Sequence, residues 1–550
     1  MVVRLDDLLI LASWGDPYSW REARYVVRGP GGEVLAEVTS ETSLAALMKY
    51  AEARGFRPHA LIIVQETLLA APTARKVGGE IRRMKRDYLP IAEIRRVRGD
   101  LNAAYRALVR GLGDGIRRWV GEHVLKRLEE YGVSAGEGCV DVAVAPGVGA
   151  FQYRGVDGSA LKAVWELLPR RSNPFSFYAS VAFTHVLRRM LQLHSGGRLR
   201  LAVDLTHGVN YTSTAAYRAA LAAARVYAVS TGREVLVEVY NSEPFIEGEE
   251  LRVWLIREGR VVPRAAASRL VYLTIGGRGF PPRLINALLS GDGRILRELN
   301  QQTPTPCREA SVKAAAAVIV GAPLLLLQAG LEAGCEGYSH DNLVKILAWL
   351  EGSIPRVEVL REDGRVRVRH LLTLDFSSLK AYVAAYALNL YAANAYEELR
   401  KALGGEVGSE GGCGALRVCA SVEALDKAIN YLAGPSHYVV QQEVSELKNA
   451  LDKSKKGQDK CEELKADLYR RVCLAALHRR DYPASPAAGG VDRRIFVAHA
   501  GLNSDIVDVI YRGSGDGGGK VLLTYSPSKL GGLEHVAKDV LNALRIDIKP

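Results

Sequence analysis

The feature that most constrains this chain is the alternation of short apolar runs with helical stretches along its first half. A run such as Leu8–Ala12, apolar throughout and followed by a turn, is typical of a strand buried on both faces of a parallel sheet. Similar runs at 60–64, 140–144 and 199–205 are separated by helical patterns. The succession continues to about residue 275 and predicts an α/β Rossmann-like domain, whose ligand binds at the carboxyl ends of the strands.

The second half has a different pattern, because long helical segments replace the alternation. Residues 356–369 interrupt these helices with alternating apolar and charged residues, which predicts a β-hairpin inserted in a helical domain. The glycine-rich residues 404–414 predict a loop. We therefore divide the chain into an N-terminal domain at 1–275 and a mainly α-helical C-terminal domain at 276–550. The predicted helices lie at 310–327, 342–350, 379–403, 422–432 and 438–451.

Composition and charge exclude some classes of protein. The longest apolar run, Ala314–Leu327, is shorter than the roughly 20 residues that cross a bilayer. We find neither a signal peptide nor a lipidation motif, so we expect a cytoplasmic protein without a membrane partner. The net charge of +12 favours a polyanionic partner, such as nucleic acid or a phosphorylated ligand.

The seven cysteines are scattered and include no C-x-x-C pair. This arrangement favours buried thiols over a zinc site or a redox centre. No other cluster of metal-ligating residues stands out, so we expect neither a metal ion nor a cofactor.

Two strand ends carry residues that suit an anionic ligand. Trp14–Asp16 closes the first strand, and residues 204–211 (DLTHGVNY) join a later strand to an alanine-rich helix. The Thr206 hydroxyl and the His207 ring can contact phosphate oxygens, and Gly208 permits close approach of the backbone. The helix that follows begins with free N–H groups, which attract anions.

A plainer interpretation treats both segments as tight turns, with Asp204 or Asn210 as a helix cap. No G-x-G-x-x-G follows the first strand, which argues against a dinucleotide-dependent oxidoreductase. A small-molecule enzyme built on this half alone also lacks an acid–base pair near the strand ends.

The second candidate site is the R-x-x-x-x-H pattern of Arg494 and His499. It follows a loop, begins after a plausible helix cap, Asp492, and lies in the helical domain. A five-residue step separates two helical side chains by about 140°, so we expect a compact site only from two copies in a dimer. This spacing alone does not identify a catalytic site, because it recurs at Arg54/His59, Arg118/His123, Arg189/His194 and Arg365/His370.

The plainer interpretation of His499 is a buried histidine on a helix rich in alanine and valine. The arginines around it would then form a solubilising face. These arginines are Arg470, Arg471, Arg479, Arg480, Arg493 and Arg494.

Four segments together resemble the CRISPR-associated CARF–HEPN ribonucleases of type III systems, the Csx-one type. They are residues 9–20 (LILASWGDPYSW), 145–155 (APGVGAFQYRG), 204–211 and 494–499. The family's catalytic motif is commonly R-N-x-x-x-H, whereas Ile495 stands at the polar position here. Arg493 precedes Arg494, so either arginine could act.

The resemblance implies a homodimer, or a higher oligomer, with a CARF sensor and a HEPN ribonuclease domain. A cyclic tetra- or hexa-adenylate activator would lie across the sensor two-fold axis, and Arg494 and His499 would cut single-stranded RNA without a metal ion. The implied activator ligands are Trp14, Gly15, Asp16, Thr206, His207, Gly208 and Asn210.

A CARF nucleotide sensor that regulates transcription or acts as a scaffold is the alternative. Such regulators usually end in a compact helix-turn-helix, whereas the C-terminal half here exceeds 250 residues. For the ribonuclease, a histidine suits proton transfer near neutral pH, and a permanently charged arginine suits the phosphate.

Overall fold

A computed structural model provides the structure of the chain, and its strands and helices alternate in the N-terminal half. It describes residues 6–77, 80–83, 85–133, 135–154, 160–169, 172–193, 198–208, 211–244, 250–276, 282–302, 308–335, 337–362, 364–410, 417–432, 437–484, 492–513 and 519–548. The strands of this half are β1 (Asp6–Trp14), β2 (Ala23–Arg28), β3 (Val34–Ser40), β4 (Phe56–Gln65), β5 (Ala74–Val77), β6 (Glu80–Arg83), β7 (Val140–Ala145), β8 (Gly149–Arg154), β9 (Ala160–Leu167), β10 (Leu199–Asp204), β11 (Val235–Ser242) and β12 (Leu251–Val261). Its helices are α1 (Ser43–Ala53), α2 (Leu101–Val120), α3 (Lys126–Glu130), α4 (Pro174–Gln192), α5 (Tyr211–Thr231) and α6 (Pro263–Gly276).

An eight-stranded sheet with the order β3-β2-β12-β11-β10-β1-β4-β7 organises this half. The five neighbouring strands β11, β10, β1, β4 and β7 are parallel, whereas β12 runs antiparallel to β11. Alternate residues of β1 enter two cores: Leu9 and Leu11 pack with α4 and α5, and Leu8 and Ile10 pack with α1 and α2. Helices therefore cover both faces, which explains the uninterrupted apolar run and confirms the predicted α/β architecture.

The C-terminal half is mainly helical, as predicted. Its helices are α7 (Gly293–Gln302), α8 (Arg308–Val320), α9 (Pro323–Cys335), α10 (His340–Ser353), α11 (Phe376–Leu403), α12 (Val422–Ala428), α13 (His437–Ser454), α14 (Gln458–Glu462), α15 (Asp467–His478), α16 (Arg493–Ala498) and α17 (Leu530–Ile548). Its strands are β13 (Leu288–Ser290), β14 (Val357–Glu362), β15 (Arg365–His370), β16 (Leu372–Leu374), β17 (Val407–Glu410), β18 (Arg417–Ser421), β19 (Val507–Gly513) and β20 (Gly519–Tyr525).

Helix α11 forms the centre of this half and joins it to the sheet domain. It packs against α9 within the C-terminal half and against α5 and α6 of the N-terminal half. One apolar core consequently runs from β1 to α17. The apolar run predicted as a single helix at 310–327 is divided between α8 and α9, because Gly321 adopts a φ of 75° and Pro323 begins the second helix.

The β14–β15 hairpin is confirmed, but the prediction that it is inserted in the helical domain is wrong. Strand β15 pairs in parallel with β9, so the four-stranded sheet β14-β15-β9-β8 contains strands from both halves. Val366 and Val368 are buried in the same core as α2. The hairpin thus extends a sheet that starts in the N-terminal half.

Another four-stranded sheet, β17-β18-β20-β19, corrects the predicted loop at 404–414. Residues Val407–Glu410 form a strand opposite β18, with Gly408 facing Cys419, and residues 411–416 lie outside the described part of the chain. Backbone pairing with β18 overrides the weak strand preference of glycine.

Cys461 and Cys473 form a disulfide, so the expectation of buried thiols is wrong for this pair. The neighbouring helices α14 and α15 bring the two residues together, a contact that their spacing did not reveal. Within the described ranges, no helix is both long and apolar enough to cross a bilayer.

Candidate functional site

An open cleft of about 650 Å³ lies beside the carboxyl ends of β10 and β11. The turn after β1 supplies Trp20 and Arg21, and β2 supplies Tyr25. Thr206 and His207 follow β10 and complete one wall. The cleft therefore occupies the edge of the sheet where the parallel strands of an α/β fold bind ligands.

His207 is fixed in this wall as a neutral imidazole. Its ring stacks on Trp20, with the ring centroids 4.1 Å apart and the planes inclined by 28°. The backbone N–H of Ser43 donates to Nε2 over 3.3 Å, and the Tyr25 hydroxyl lies 3.4 Å from the same atom. Burial lowers the pKa of His207 to about 4, although the nearby Asp204 carboxylate acts in the opposite direction.

The turn that carries His207 depends on Asp204 and Gly208. The Asp204 carboxylate accepts hydrogen bonds from the Thr206 N–H, 3.0 Å away, and from the Ser43 hydroxyl, 2.6 Å away. A Cβ atom on Gly208 would lie 1.6 Å from the Ser213 Oγ, so a larger residue would displace the start of α5. The predicted ligand residue Asn210 lies outside the described residues.

The other predicted ligand residues have protein partners. Trp14 is 3% exposed and packs edge-on against neighbouring tryptophans. The Gly15 N–H donates to the His207 carbonyl oxygen over 3.1 Å and so links the turns after β1 and β10. Arg86 donates to both carboxylate oxygens of Asp16 at 2.8 and 2.7 Å. These three residues support the turns, whereas Thr206 and His207 line the cleft.

Sequence reasoning missed Trp20 and Tyr25 as cleft residues. Trp20 closes the segment at 9–20 that carries the family resemblance, so its position beside the first strand end was a usable signal. Tyr25 is buried on β2, and no sequence feature marks it as a cleft residue, since it reaches the cleft only through the pairing of β2 with β12.

In the C-terminal half, His499 has a carboxylate partner. Its side chain is 46% exposed, and its Nδ1 lies 3.1 Å from Oε1 of Glu443 on α13. The other oxygen of Glu443 accepts a 2.6 Å hydrogen bond from the Tyr469 hydroxyl on α15. In the neutral ring, Nδ1–H therefore donates to the carboxylate and Nε2 remains unprotonated.

The backbone around His499 is held by a tight turn. His499 follows the last residue of α16, and Ala500 adopts a φ of 48°. The Gly501 N–H bonds the Phe496 carbonyl, and the Ala500 N–H bonds the Val497 carbonyl. This pair of bonds is a Schellman motif, which fixes the direction in which the chain leaves the helix.

The candidate arginine, Arg494, lies in the first turn of α16, and its side chain is outside what the structure describes. The buried-histidine interpretation of His499 is wrong, because the side chain is half-exposed beside Glu443. No sequence pattern distinguishes Glu443 and Tyr469, because they lie on helices 30 to 56 residues away from His499.

Arg471 is not part of a solubilising face, which corrects that interpretation. It is 7% exposed and donates to the carbonyl oxygens of Pro483, Ser504 and Val507. These acceptors flank α16 in the chain. Arg471 therefore ties α15 to both ends of the segment that carries His499.

The other arginine–histidine pairs are tied into the N-terminal half. His59 contacts the buried Asp7, His123 contacts Glu41, and His370 lies 2.5 Å from Oε1 of the buried Glu66. His194 lies outside the described residues. Among the described histidines with this spacing, His499 has the most exposed side chain, at 46%, followed by His123 at 37%.

Residues 9–244 match a family model described as the CARF domain of the CRISPR system endoribonuclease Csx1. The match begins in β1 and ends after β11, so it includes the residues that form the cleft wall around His207. It covers less than half of the chain and none of the C-terminal half. No curated protein matches the chain. The match supports a CRISPR type III CARF protein.

Proposed function

From the match of residues 9–244, we propose that this protein is a ribonuclease of CRISPR type III defence that a cyclic oligoadenylate activates. The N-terminal half binds the activator, and the C-terminal half cuts single-stranded RNA in a homodimer. The match carries the sensor assignment, and the pairing of His499 with Glu443 supports the assignment of catalysis.

The cleft has the chemistry that an oligoadenylate requires. The stacked rings of Trp20 and His207 offer an aromatic surface for an adenine base, and base stacking on such surfaces contributes about 1–3 kcal/mol per base. Arg21 adds a positive charge at the rim for the phosphates. The predicted ligands Trp14, Gly15, Asp16, Gly208 and Asn210 act in this proposal by shaping the two turns or by contacting the activator directly.

At the second site, His499 transfers protons during cleavage. The 2′-hydroxyl of RNA attacks the adjacent phosphorus, and one His499 accepts its proton through Nε2 while Glu443 orients the ring. His499 of the second copy protonates the leaving 5′-oxygen. Arg494 or Arg493 stabilises the charge on the phosphorane. The products are a 2′,3′-cyclic phosphate and a 5′-hydroxyl, and no metal ion takes part.

Activation follows if the activator binds one arrangement of the dimer more tightly than the other. We infer that it favours the arrangement in which the His499 sites of the two copies face one RNA-binding groove in the C-terminal half. The activator then shifts the equilibrium without entering the site of cleavage.

The decisive experiment measures cleavage of a labelled single-stranded RNA in EDTA, with and without cyclic tetra-adenylate or hexa-adenylate. We expect activator-dependent cleavage by the wild type and by His535→Ala, and none by His499→Ala. His535 is a matched control, because its side chain is 79% exposed on α17. Absence of cleavage with both activators would contradict the proposal and favour a non-enzymatic sensor.

A further inference from the structure

A second cavity, of about 150 Å³, lies between helices α5 and α6 and strands β11 and β12. Its apolar wall includes Leu221, Val237 and Val239, and arginines surround the rest. It shares no lining residue with the cleft of His207. The cavity lies on the face of the sheet that α5 covers, away from the carboxyl ends of the parallel strands.

Four arginines line this cavity, and three of them, from three elements, lack a carboxylate partner within the described residues, whereas the fourth, Arg260, lies near Glu234. Arg225 lies on α5 and is half-buried, Arg257 lies on β12, and Arg269 lies on α6. The Tyr217 hydroxyl accepts a 2.7 Å hydrogen bond from Arg257 and so orients its guanidinium group. Burial lowers the pKa of Arg225, and the charges of Arg269 and Arg257 lower it further.

Carboxylates do not balance these charges. Within the described part of the chain, Arg225, Arg257 and Arg269 form no salt bridge, whereas the neighbouring Arg260 lies 3.7 Å from Glu234. Glu258 follows Arg257 on β12, and successive strand residues point to opposite faces, so its side chain lies on the other side of the sheet. The three arginines therefore repel one another without a compensating anion.

We propose that this cavity binds a small phosphate-bearing anion, with its phosphoryl group between Arg225, Arg257 and Arg269. The planar guanidinium group donates two parallel hydrogen bonds to phosphate oxygens, which is why arginine is preferred at such sites. The cavity has room for a compact anion. A single strand of RNA is bound instead along an extended basic groove with aromatic side chains for its bases.

A fourth charge links the site to the C-terminal half. Burial lowers the pKa of Lys380 on α11, the charges of Arg218 and Arg225 lower it further, and the Asp375 carboxylate acts in the opposite direction. The bound anion would relieve this repulsion as well. It would therefore stabilise the contact between α11 and α5, which joins the two halves.

Calorimetric titration of the protein with inorganic phosphate and with pyrophosphate, at constant ionic strength, tests this proposal. We expect saturable binding to the wild type and at least tenfold weaker binding to Arg225→Gln and Arg269→Gln. Arg269 is exposed, so its replacement leaves the fold intact even if Arg225→Gln disturbs α5. Arg294→Gln removes the same charge from α7, where Asp292 balances it, and should bind as the wild type does.

Binding to neither anion, or equal binding to all four proteins, would overturn the proposal. A parallel titration uses a single-stranded DNA oligonucleotide, which has no 2′-hydroxyl and cannot be cut by the proposed reaction. If the oligonucleotide binds through Arg225 and Arg269 while both small anions fail to bind, the site belongs to nucleic acid, and the small-anion assignment is wrong. None of these measurements depends on ribonuclease activity.

Discussion

The surroundings of His207 and His499 differ in solvent exposure and in hydrogen-bond partner. His207 stacks on Trp20, accepts the Ser43 N–H at Nε2 and has a lowered pKa because desolvation disfavours the charged ring. His499 is half-exposed and faces the Glu443 carboxylate through Nδ1. The His207 ring is held in place by Trp20 and a backbone donor, whereas under the proposed function Nε2 of His499 contacts the reactant.

The contrast between these two sites shows that residue type and spacing do not assign a role to a histidine. Their surroundings separate them: His207 contacts an aromatic ring and a backbone donor, whereas His499 combines a carboxylate partner with a half-exposed side chain. His59 and His370 also contact carboxylates, but both are buried. If the comparison is correct, changes around His207 alter activator dependence, and changes around His499 alter the rate at saturating activator.

The largest expected effect is on catalysis through a positioning residue. Glu443→Gln should lower kcat for RNA cleavage by about 10²-fold, the lower end of what positioned proton transfer contributes, because an amide no longer fixes the Nδ1–H tautomer. KM and the activator concentration for half-maximal rate should change less than twofold. Steady-state cleavage at saturating activator measures all three quantities.

Glu446→Gln, three residues farther along α13, is the matched control and should retain wild-type kcat. Glu443→Asp should recover part of the activity. If Glu443→Asp does not restore kcat, or if activator dependence changes by the same factor, Glu443 stabilises the fold and does not position His499. Either result would contradict the contrast drawn between the two histidines.

The next effect concerns the support of the His499 site by α15. The disulfide between Cys461 and Cys473 closes a loop of 12 residues, and cross-links of this length stabilise by about 2–4 kcal/mol through loss of chain entropy in the unfolded state. Cys473→Ser should lower the free energy of unfolding by this amount. Guanidinium denaturation with and without reductant measures it.

Reductant should destabilise the wild type and leave Cys473→Ser unchanged. Cys419→Ser is the control, because Cys419 is buried without a disulfide and its response to reductant should equal that of the wild type. Equal stability of the oxidised and reduced wild type would contradict the prediction and show that the disulfide does not stabilise α15.

On the other side of the comparison, Trp20→Ala should raise the activator concentration for half-maximal cleavage about tenfold, because one adenine loses its stacking surface. The rate at saturating activator should stay within twofold of the wild type. Trp20→Phe retains a ring and should lose much less. A lower maximal rate with unchanged activator dependence would contradict the sensor role of this cleft. Replacing His207 or Asn210 should act in the same direction.

Much of the fold could be predicted from the sequence, because local patterns determine it. The buried run of β1 and the alanine-rich α5 have lengths and patterns typical of one kind of element each, and the order of strands and helices then places the ligand at one edge of the sheet. This placement and the family resemblance together predicted Thr206 and His207 as ligand residues, and both line the cleft. The domain limits at 275 and 276 remain a prediction.

What could not be predicted depends on contacts between distant residues. The pairing of β15 with β9 joins segments about 200 residues apart, and nothing in either strand specifies its partner. The same holds for the contact of His499 with Glu443 and for the disulfide at Cys461. Sequence periodicity reports which side of an element is buried, and it does not report what buries it.

The smallest predicted effect is a pH dependence of stability that belongs to His207. Its pKa is about 4 in the folded protein and about 6.5 in an unfolded chain, so the unfolded state takes up the proton first as the pH falls. The stabilisation is complete above pH 6.5 and decreases as the pH falls toward 4, since a protonated Nε2 cannot accept the Ser43 N–H. Denaturation at pH 7.5 and pH 5.8 should show that the wild type loses about 1 kcal/mol more than His207→Gln. His185, whose pKa burial also lowers to about 4, is present in both proteins and cancels in this difference. Equal losses would show that the ring in the cleft is free to protonate, and the distinction between the two histidines would then rest on the carboxylate of Glu443 alone.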